Sequence, residues 1–253
     1  MERISVCIIT LNEEKNIARC IHSVAGIADE VVVVDSGSAD QTVAIAASLG
    51  ARVIHHPFEG HIPQKNFALA QASHPWVLSL DADEALSETL RHSILSERET
   101  LQADGYTMNR LTSYCGNWIR HGAWYPDTKL RLVRRDRAAW TGVNPHDRLE
   151  MLKGSRIRKL KGDLLHYSFY TLNDHLAQIE KFTAISAEAM VKAGKKPGIW
   201  HLVCKPGIRF LRDYGFRLGF LDGWAGFQIA RLSACAVFTK YAKARELWEQ
   251  QGK

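Results

Sequence analysis

The first hundred residues alternate between short apolar runs and longer segments in which apolar residues recur at helical spacing. The runs are mainly apolar and rich in β-branched residues, which is typical of strands buried on both faces of a parallel sheet. Strands that alternate with helices of 10 to 15 residues predict a doubly wound, mostly parallel sheet flanked by helices, and hence an α/β fold. The predicted strands are ISVCIIT (4–10), VVVV (31–34), ARVIHHP (51–57) and WVLSLDA (76–82).

Capping residues and glycines bound the helices that follow these strands. Asn12 stands where an N-cap is expected for the first helix, and Gly26 follows as a stop. The second helix is predicted from about Asp40 to Leu49 and closes at Gly50. The third and fourth helices are predicted in PQKNFALAQAS (63–73) and SETLRHSILSERETLQ (87–102).

After about residue 170 the pattern becomes helical. The segment 173–194 is amphipathic, with Asn173 as a candidate cap and Gly194 as a stop. The next segment, 195–227, mixes bulky apolar residues with Lys and Arg, and Pro197 and Pro206 are expected to divide it. The chain is therefore predicted to hold a catalytic domain at 1–168 and a basic helical extension at 169–253.

Charge is distributed unevenly between these parts. Residues 1–150 hold 15 Lys and Arg against 19 Asp and Glu, a net charge of −4, whereas residues 151–253 hold 18 against 8, a net charge of +10. A basic C-terminal third suggests an anionic partner such as a membrane surface, a nucleic acid or a phosphorylated glycolipid. Apolar groups interleaved with Lys and Arg favour the membrane interface, and no nucleic-acid-binding motif is present, so no nucleic-acid partner is expected.

The remaining global features predict a cytoplasmic protein. The five cysteines are scattered without a CxxC pair, which favours a reducing compartment. No signal peptide and no long apolar segment are found in the sequence. With the basic extension, this predicts a peripheral position on the cytoplasmic face of a membrane.

Polar side chains follow three of the predicted strands. They are Thr10 to Asn12 after the first, Asp35 to Ser38 after the second, and Asp81-Ala82-Asp83-Glu84 after the fourth. Ligands of doubly wound sheets collect at the carboxyl ends of the strands, so these groups mark one site. Asp-x-Asp suits Mg²⁺ or Mn²⁺, which takes one or two carboxylates, waters and substrate phosphates.

The sequence lacks the motifs that characterise other classes of nucleotide-binding protein. Neither GxGxxG nor GxxxxGK[ST] occurs, which removes the main support for dinucleotide and P-loop sites. A sugar-nucleotide nucleotidyltransferase would carry a Gly-rich loop after the first strand, whereas TLNEEKN (10–16) has no glycine. A nucleoside diphosphate bridged through a metal fits the carboxylates, with Asp35 available to a base or ribose and Lys65 to a phosphate.

Eight segments of the chain form a recognisable set. They are CIITLNEEKNIARCIHSV (7–24), EVVVVDSGSADQT (30–42), QKNFAL (64–69), LSLDADE (78–84), KLRLVRRD (129–136), NPHDRL (144–149), LLHYSF (164–169) and GFLDGWAGFQIARLSACAVFTKYAK (219–243). Together they resemble the inverting family 2 glycosyltransferases with the GT-A fold, closest to the lipopolysaccharide-core β-1,4-glucosyltransferase group. The resemblance spans nearly the whole chain and implies a bacterial enzyme that uses a UDP-sugar donor.

The resemblance also implies roles for individual residues. Asp81 and Asp83 match the DxD motif, with Asp83 as the metal ligand and Glu84 as a supporting acid. His166 is expected near the rim of the active site. The residues implied to bind the nucleotide-sugar are Thr10, Asn12, Glu14, Asp35, Lys65, Asn66, Asp81, Ala82 and Arg131.

An inverting transfer needs a base that deprotonates the acceptor hydroxyl. The group carries a His followed by an acid after its central strands, and here VNPHDRL places His146 and Asp147 there. Asp147 is the expected base and His146 its neighbour on the acceptor or phosphate, although the usual acid is Glu and Pro145 departs from the pattern. Asp127 and Glu150 are rival bases.

The function expected from the sequence is transfer of a hexose, with glucose from UDP-glucose favoured, to a lipid-linked saccharide. The acceptor implied by the resemblance is the heptose of the lipopolysaccharide inner core. A polyprenyl phosphate or a protein acceptor stays open, as does a basic nucleic-acid- or membrane-binding module from a different class. The oligomeric state is left open.

Overall fold

Residues 1–143 and 146–252 are described by the computed structural model. Contacts within the chain divide it into two compact units. Unit 1 comprises residues 1–110 and 127–167, and unit 2 comprises residues 111–126 together with the chain from Ser168 onward. Residues 111–126 thus lie within the expected catalytic domain in sequence but pack with the C-terminal helices.

Four parallel strands form the centre of unit 1, in the order β3-β2-β1-β4. All four predicted strands are confirmed, and with the flanking helices they confirm the predicted α/β fold class. Their bounds are β1 (Ile4–Thr10), β2 (Glu30–Asp35), β3 (Arg52–His55) and β4 (Trp76–Asp81).

Strand β1 is mainly apolar because both of its faces are buried. Ile4, Val6 and Ile8 point to one side of the sheet and belong to the larger hydrophobic cluster. Cys7, between them, points to the other side and packs in a second cluster with Ala68. Successive side chains of a strand alternate between faces, so a strand covered on both sides has no position for a solvated residue.

Four helices follow these strands in unit 1, as predicted. Ser87 caps the last of them, accepting a hydrogen bond from the Leu90 N–H. The first helix begins later than expected, so the prediction of Asn12 as its N-cap is wrong: Asn16 occupies that position, and Asn12 has φ +54° in the preceding turn. The helices are α1 (Ile17–Ser23), α2 (Thr42–Ser48), α3 (His61–Ala70) and α4 (Glu88–Arg98).

Beyond β4 the sheet continues in the order β8-β6-β11-β5. Strand β8 pairs antiparallel with β4 and with β6, and β11 pairs antiparallel with β5. Strands β9 and β10 form a separate antiparallel pair. The bounds are β5 (Glu84–Leu86), β6 (Gly105–Tyr114), β8 (Asp127–Arg134), β9 (Ala138–Val143), β10 (His146–Met151) and β11 (Ile157–Phe169).

Unit 2 is mainly helical, as predicted. Its elements are the short strand β7 (Asn117–Trp118) and the helices α5 (Leu172–Lys192), α6 (Ile199–Phe210) and α7 (Gly223–Gln250). A wider helical turn, 211–216, and a tighter one, 219–222, connect α6 to α7.

Two boundary predictions in unit 2 are wrong. Thr171, not Asn173, caps α5, because its hydroxyl accepts the Asp174 N–H while the Asp174 carboxylate accepts the Thr171 N–H. Pro206 lies inside α6 instead of dividing it. Pro206 has no N–H, so one carbonyl in the preceding turn lacks its usual donor. None of the residues of α6 is buried, so water can bond to that carbonyl instead. The stop at Gly194 is confirmed, with φ +69° just after the end of α5.

We expect Gly162→Ala to lower the free energy of unfolding by about 3 kcal/mol or more. Gly162, in β11, has φ +93°, and an added Cβ would overlap the backbone of Thr89 and Leu90. Gly154→Ala is the matched control, because Gly154 has φ +86° but no atom within 4 Å of the added Cβ, so only backbone strain of about 1 kcal/mol remains. Urea unfolding of both variants measures the difference, and equal losses would show that the contact with α4 is not limiting.

Candidate functional site

The polar ends of β1, β2 and β4 meet at one edge of the sheet, as predicted. The strand register places Thr10 beside Asp35 and Ile9 beside Asp81. Thr10 is buried, and its hydroxyl has no hydrogen-bond partner among the described residues. A buried polar group without a partner is costly, so Thr10 marks a position where a ligand atom would be stabilising.

The loops after β1 and β2 are bonded to each other through side chains. The Asn12 carboxamide oxygen accepts the Ala39 N–H at 2.8 Å, and Glu14 accepts the Gln41 N–H at 3.1 Å. Asp35 is buried and accepts the N–H groups of Gly37 at 2.9 Å and Ser38 at 3.0 Å. The carboxylates and the amide expected at the nucleotide therefore also hold these loops in place.

An ion-pair network lies directly after β4. Glu84 is 1% exposed, and it accepts the Asp81 backbone N–H at 3.0 Å. Arg131, from β8, places Nη2 2.7 Å from Glu84 Oε1 and 3.3 Å from Asp81 Oδ2. Burial would lower the pKa of Arg131, but the two carboxylates raise it above its usual range. Glu84 is thus neutralised within the fold and serves to orient Asp81.

Lys65 links this network to the expected base. Its Nζ lies 2.8 Å from Asp147 Oδ2 and 3.1 Å from Asp81 Oδ1, and its side chain is only 7% exposed. Burial would raise the pKa of Asp81, but Lys65 and Arg131 hold it well below its usual range. Asp147 pairs with Lys65 from α3, which brings two of the sequence-predicted residues into contact across 82 positions.

The Trp140 ring lies beside Lys65 and its two carboxylate partners. The Lys65 ammonium lies 4.3 Å from its ring centroid. Asn66 holds the strand that carries Trp140: its Nδ2 donates to the Trp140 carbonyl at 2.8 Å, and its Oδ1 accepts the Trp140 N–H at 2.9 Å. Asn66 thus anchors β9 on α3. Ala82, another residue expected at the nucleotide, donates its backbone N–H to the Ile9 carbonyl at 3.2 Å and so joins the ends of β4 and β1.

These groups line a cavity of about 1050 Å³ within unit 1. Lys65, Asp81, Arg131 and Asp147 all reach it. Two nitrogens of Arg131, Nε and Nη1, and Nε1 of Trp140 are buried and have no hydrogen-bond partner among the described residues. Donors in this state beside a large cavity suit an anionic or hydroxyl-rich ligand, because such a ligand would supply the missing acceptors.

The rival bases pair with cations other than Lys65, and Glu150 lines the same cavity as Asp147. Asp127 pairs with Arg110 at 2.8 Å and with Lys129 at 3.0 Å. Glu150 is exposed and lies 2.6 Å from Arg148. The side chain of His146 lies outside the described residues, so its expected role at the acceptor stays a prediction.

Asp83 has a partner in β11 that could complete a metal site. Its Oδ2 lies 3.1 Å from Nε2 of His166, and both side chains are partly exposed. The described residues contain no group of three or more potential metal ligands. One carboxylate and one imidazole nevertheless fit a Mg²⁺ or Mn²⁺ ion whose other positions are taken by waters and the phosphates of a substrate.

Glu13 is a further acid of this region that the sequence did not single out. Burial raises the pKa of the Glu13 carboxyl, and the nearby charge of Asp83 raises it further. The resemblance points to Glu14, whereas no motif of the sequence points to Glu13. A pair of adjacent acids in a loop gives no signal of which one turns inward.

Comparison with known proteins agrees with these observations. The Glycosyl transferase family 2 model matches residues 5–162. An uncharacterized glycosyltransferase of Rickettsia typhi is 35% identical over 98% of this chain and 88% of its own length. The lipopolysaccharide core biosynthesis glycosyltransferase LpsC of Rhizobium meliloti is 32% identical over 96% of this chain and 94% of its own.

A solved structure provides a more distant match. Glucosyl-3-phosphoglycerate synthase from Mycobacterium tuberculosis, in complex with Mn²⁺, UDP-glucose and phosphoglyceric acid, is 28% identical over 45% of this chain and 44% of that chain. The TM-score of this match is 0.36.

We expect Lys65→Met to lower the free energy of unfolding by about 3 kcal/mol, because it leaves Asp81 and Asp147 close together without their shared cation. The lowered pKa of Asp81 stabilises the fold above the unfolded pKa of about 3.9, and this contribution is lost as pH falls. The difference in free energy of unfolding between variant and wild type should therefore shrink as the pH falls below about 4. Urea unfolding at several pH values measures it.

Lys129→Met is the control for Lys65→Met. Lys129 also pairs with a carboxylate, that of Asp127, but its side chain is 37% exposed. Its loss should cost about 0.5 kcal/mol or less. Equal effects of the two variants would contradict a special role for the buried ammonium.

Proposed function

Since the chain belongs to glycosyltransferase family 2, whose members transfer a sugar with inversion, we propose that it moves a hexose from a UDP-sugar to a lipid-linked saccharide. Glucose from UDP-glucose is the proposed donor, and the heptose of a lipopolysaccharide inner core is the proposed acceptor. The name of the Rhizobium meliloti relative, which aligns over 96% of this chain, supports the acceptor class. A polyprenyl phosphate or a protein side chain is the alternative acceptor.

The observation that carries this proposal is the convergence of Asp81, Lys65 and Asp147 on one cavity at the carboxyl end of the sheet. In doubly wound sheets this edge is where nucleotides bind. The cavity holds cationic groups for a diphosphate and an acid for proton transfer. Those are the two requirements of an inverting glycosyl transfer.

Asp83 and His166 are the proposed ligands of Mg²⁺ or Mn²⁺. The ion would offset the charge that develops on the departing diphosphate. Thr10 and Asp35, at neighbouring positions of β1 and β2, are proposed to face the uridine. Arg131 keeps two buried N–H groups available to a phosphate while its third nitrogen holds Glu84 and Asp81.

Asp147 is the proposed general base. The acceptor hydroxyl oxygen forms its bond to the anomeric carbon as the bond from that carbon to the diphosphate oxygen breaks, and the hydroxyl proton passes to Asp147. The Lys65 ammonium offsets the charge of Asp147 in the structure and positions its carboxylate at the cavity. A donor phosphate that draws the Lys65 ammonium toward itself would free Asp147 for this proton.

An anionic membrane surface is the proposed second partner, at the cytoplasmic face of the inner membrane. The net charge of +10 in residues 151–253 supports it. Among the described residues, no helix combines the length and the apolarity needed to cross a bilayer.

The first experiment is calorimetric titration of the protein with UDP, with Mn²⁺ or Mg²⁺ or with a chelator, against GDP and dTDP. We expect selective binding of UDP that weakens at least tenfold without metal. Asp83→Asn and His166→Gln should each reproduce that weakening with metal present, since each removes one of two protein ligands. Asp136→Asn, which alters an exposed ion pair with Arg134 that does not line the cavity, is the control. Metal-independent UDP binding in all variants would refute the metal site, and no nucleotide binding would refute the donor class.

Asp147→Asn should reduce turnover by about 10²- to 10⁴-fold and leave UDP affinity little changed, because it removes the base but keeps the shape of the side chain. Release of UDP from UDP-glucose with a heptose-terminated core saccharide measures turnover. Glu150→Gln, a rival base in the same strand, is the matched control and should retain activity. Near-normal turnover of Asp147→Asn would place the base elsewhere.

A further inference from the structure

An apolar surface is concentrated in one stretch of unit 2, residues 199–224, here called the hairpin tip. It runs through α6 and the two connecting turns to the start of α7. Phe216 is 86% exposed and Trp224 is 70% exposed. The other large apolar side chains exposed in the hairpin tip are Ile199, Trp200, Val203, Ile208, Leu211, Leu218, Phe220 and Leu221. Apolar groups gathered in this way on a surface mark an interaction site.

The hairpin tip is a packed structure that holds these groups outward. Asp213 is buried and pairs with both Arg209 and Arg212. Gly219 and Gly226 lie so close to neighbouring backbone that a Cβ on either would collide with it. Because the backbone is packed this tightly, the exposed apolar side chains cannot turn inward. They can leave water only by contact with an apolar partner.

The charges around the hairpin tip are of one sign. Between residues 189 and 245 the sequence has only two acids, Asp213 and Asp222. Their side chains are 3% and 7% exposed, and both are paired with cations or with His121. The cations, by contrast, face solvent at Lys192, Lys195, Lys196, Arg212 and Arg217. The surface therefore complements a negative partner.

The chemistry of the apolar side chains distinguishes among negative partners. A nucleic acid is bound by aromatic stacking and cations, and exposed Ile, Val and Leu would gain little from it. A second copy of the same surface would bring like charges together. A bilayer containing anionic lipids offers both an apolar interior for the side chains and phosphates for the Lys and Arg.

We propose that the hairpin tip, residues 199–224, inserts its apolar side chains into the interfacial layer of an anionic membrane. Phe216, Trp224 and their apolar neighbours enter the acyl boundary while Lys195, Lys196 and Arg217 contact lipid phosphates. The helices lie at the interface without crossing it. This deepens the proposed function, on which it rests for the membrane partner, by naming the segment that binds and its lipid selectivity.

The experiment is flotation of the full chain with vesicles of neutral phosphatidylcholine or of phosphatidylcholine with 30% phosphatidylglycerol. Binding to the anionic vesicles only is expected. Phe216→Ser and Trp224→Ser should each weaken vesicle binding about tenfold, since each removes an aromatic side chain that would be buried in the membrane. Each of Lys195→Gln, Lys196→Gln and Arg217→Gln should weaken it about fivefold, and added salt should mimic their loss.

Leu176→Ser is the matched control, because Leu176 is an exposed apolar residue of unit 2 outside the hairpin tip. It should bind vesicles like the wild type. Insertion is read directly from quenching of tryptophan fluorescence by lipids brominated in the acyl chain. The quenching should fall in a Trp200→Phe, Trp224→Phe double variant, which removes the two tryptophans of the hairpin tip.

UDP titration of the same variants separates this inference from the proposed function. Hairpin-tip variants that bind UDP normally and lose vesicle binding would support insertion. A wild-type protein that binds UDP but no anionic vesicle would overturn it and leave the donor proposal intact. Vesicle binding without UDP binding would support insertion and contradict the donor. Self-association that Phe216→Ser abolishes, in a wild type that binds no vesicle, would assign the surface to a second copy and overturn the inference.

Discussion

The ammonium group of Lys65 lies between the carboxylates of Asp81 and Asp147, and the candidate site depends on this shared ion pair. Without a cation between them, two acids this close would repel each other and one would take up a proton. Arg131 plays the same part for Asp81 and Glu84. Burying charges is costly, and balanced pairing is what makes it tolerable in a folded protein.

This balance bears on the proposed reaction. A diphosphate brings negative charge and a divalent ion brings positive charge, so both can bind with little change in the total charge of the site. The cations that hold the acids in place are also the groups proposed to meet the departing phosphate. Positioned charges of this kind stabilise a transition state without having to reorganise during the reaction.

The two units present different chemistry to their surroundings. Unit 1 holds the strand ends, the cavity and the Asp83–His166 pair. Unit 2 holds exposed apolar side chains among cations, supported by the buried Asp213. The proposed reaction, with a donor dissolved in water and an acceptor held in a membrane, would need surfaces of both kinds.

The sequence by itself determined the strands, their order of appearance and the acidic residues at their ends, because apolar periodicity and residues adjacent in the chain carry that information. It misplaced the helix starts at Asn12 and Asn173: the first helix begins after Asn16 without a side-chain cap, and α5 is capped by the reciprocal hydrogen bonds of Thr171 and Asp174. Only the tertiary structure decided which residues meet across the chain. Lys65 and Asp147 are 82 positions apart, and Asp83 and His166 lie on different strands with no spacing signal to join them. Those contacts depend on how the sheet is ordered, and strand order follows from the packing of the whole chain.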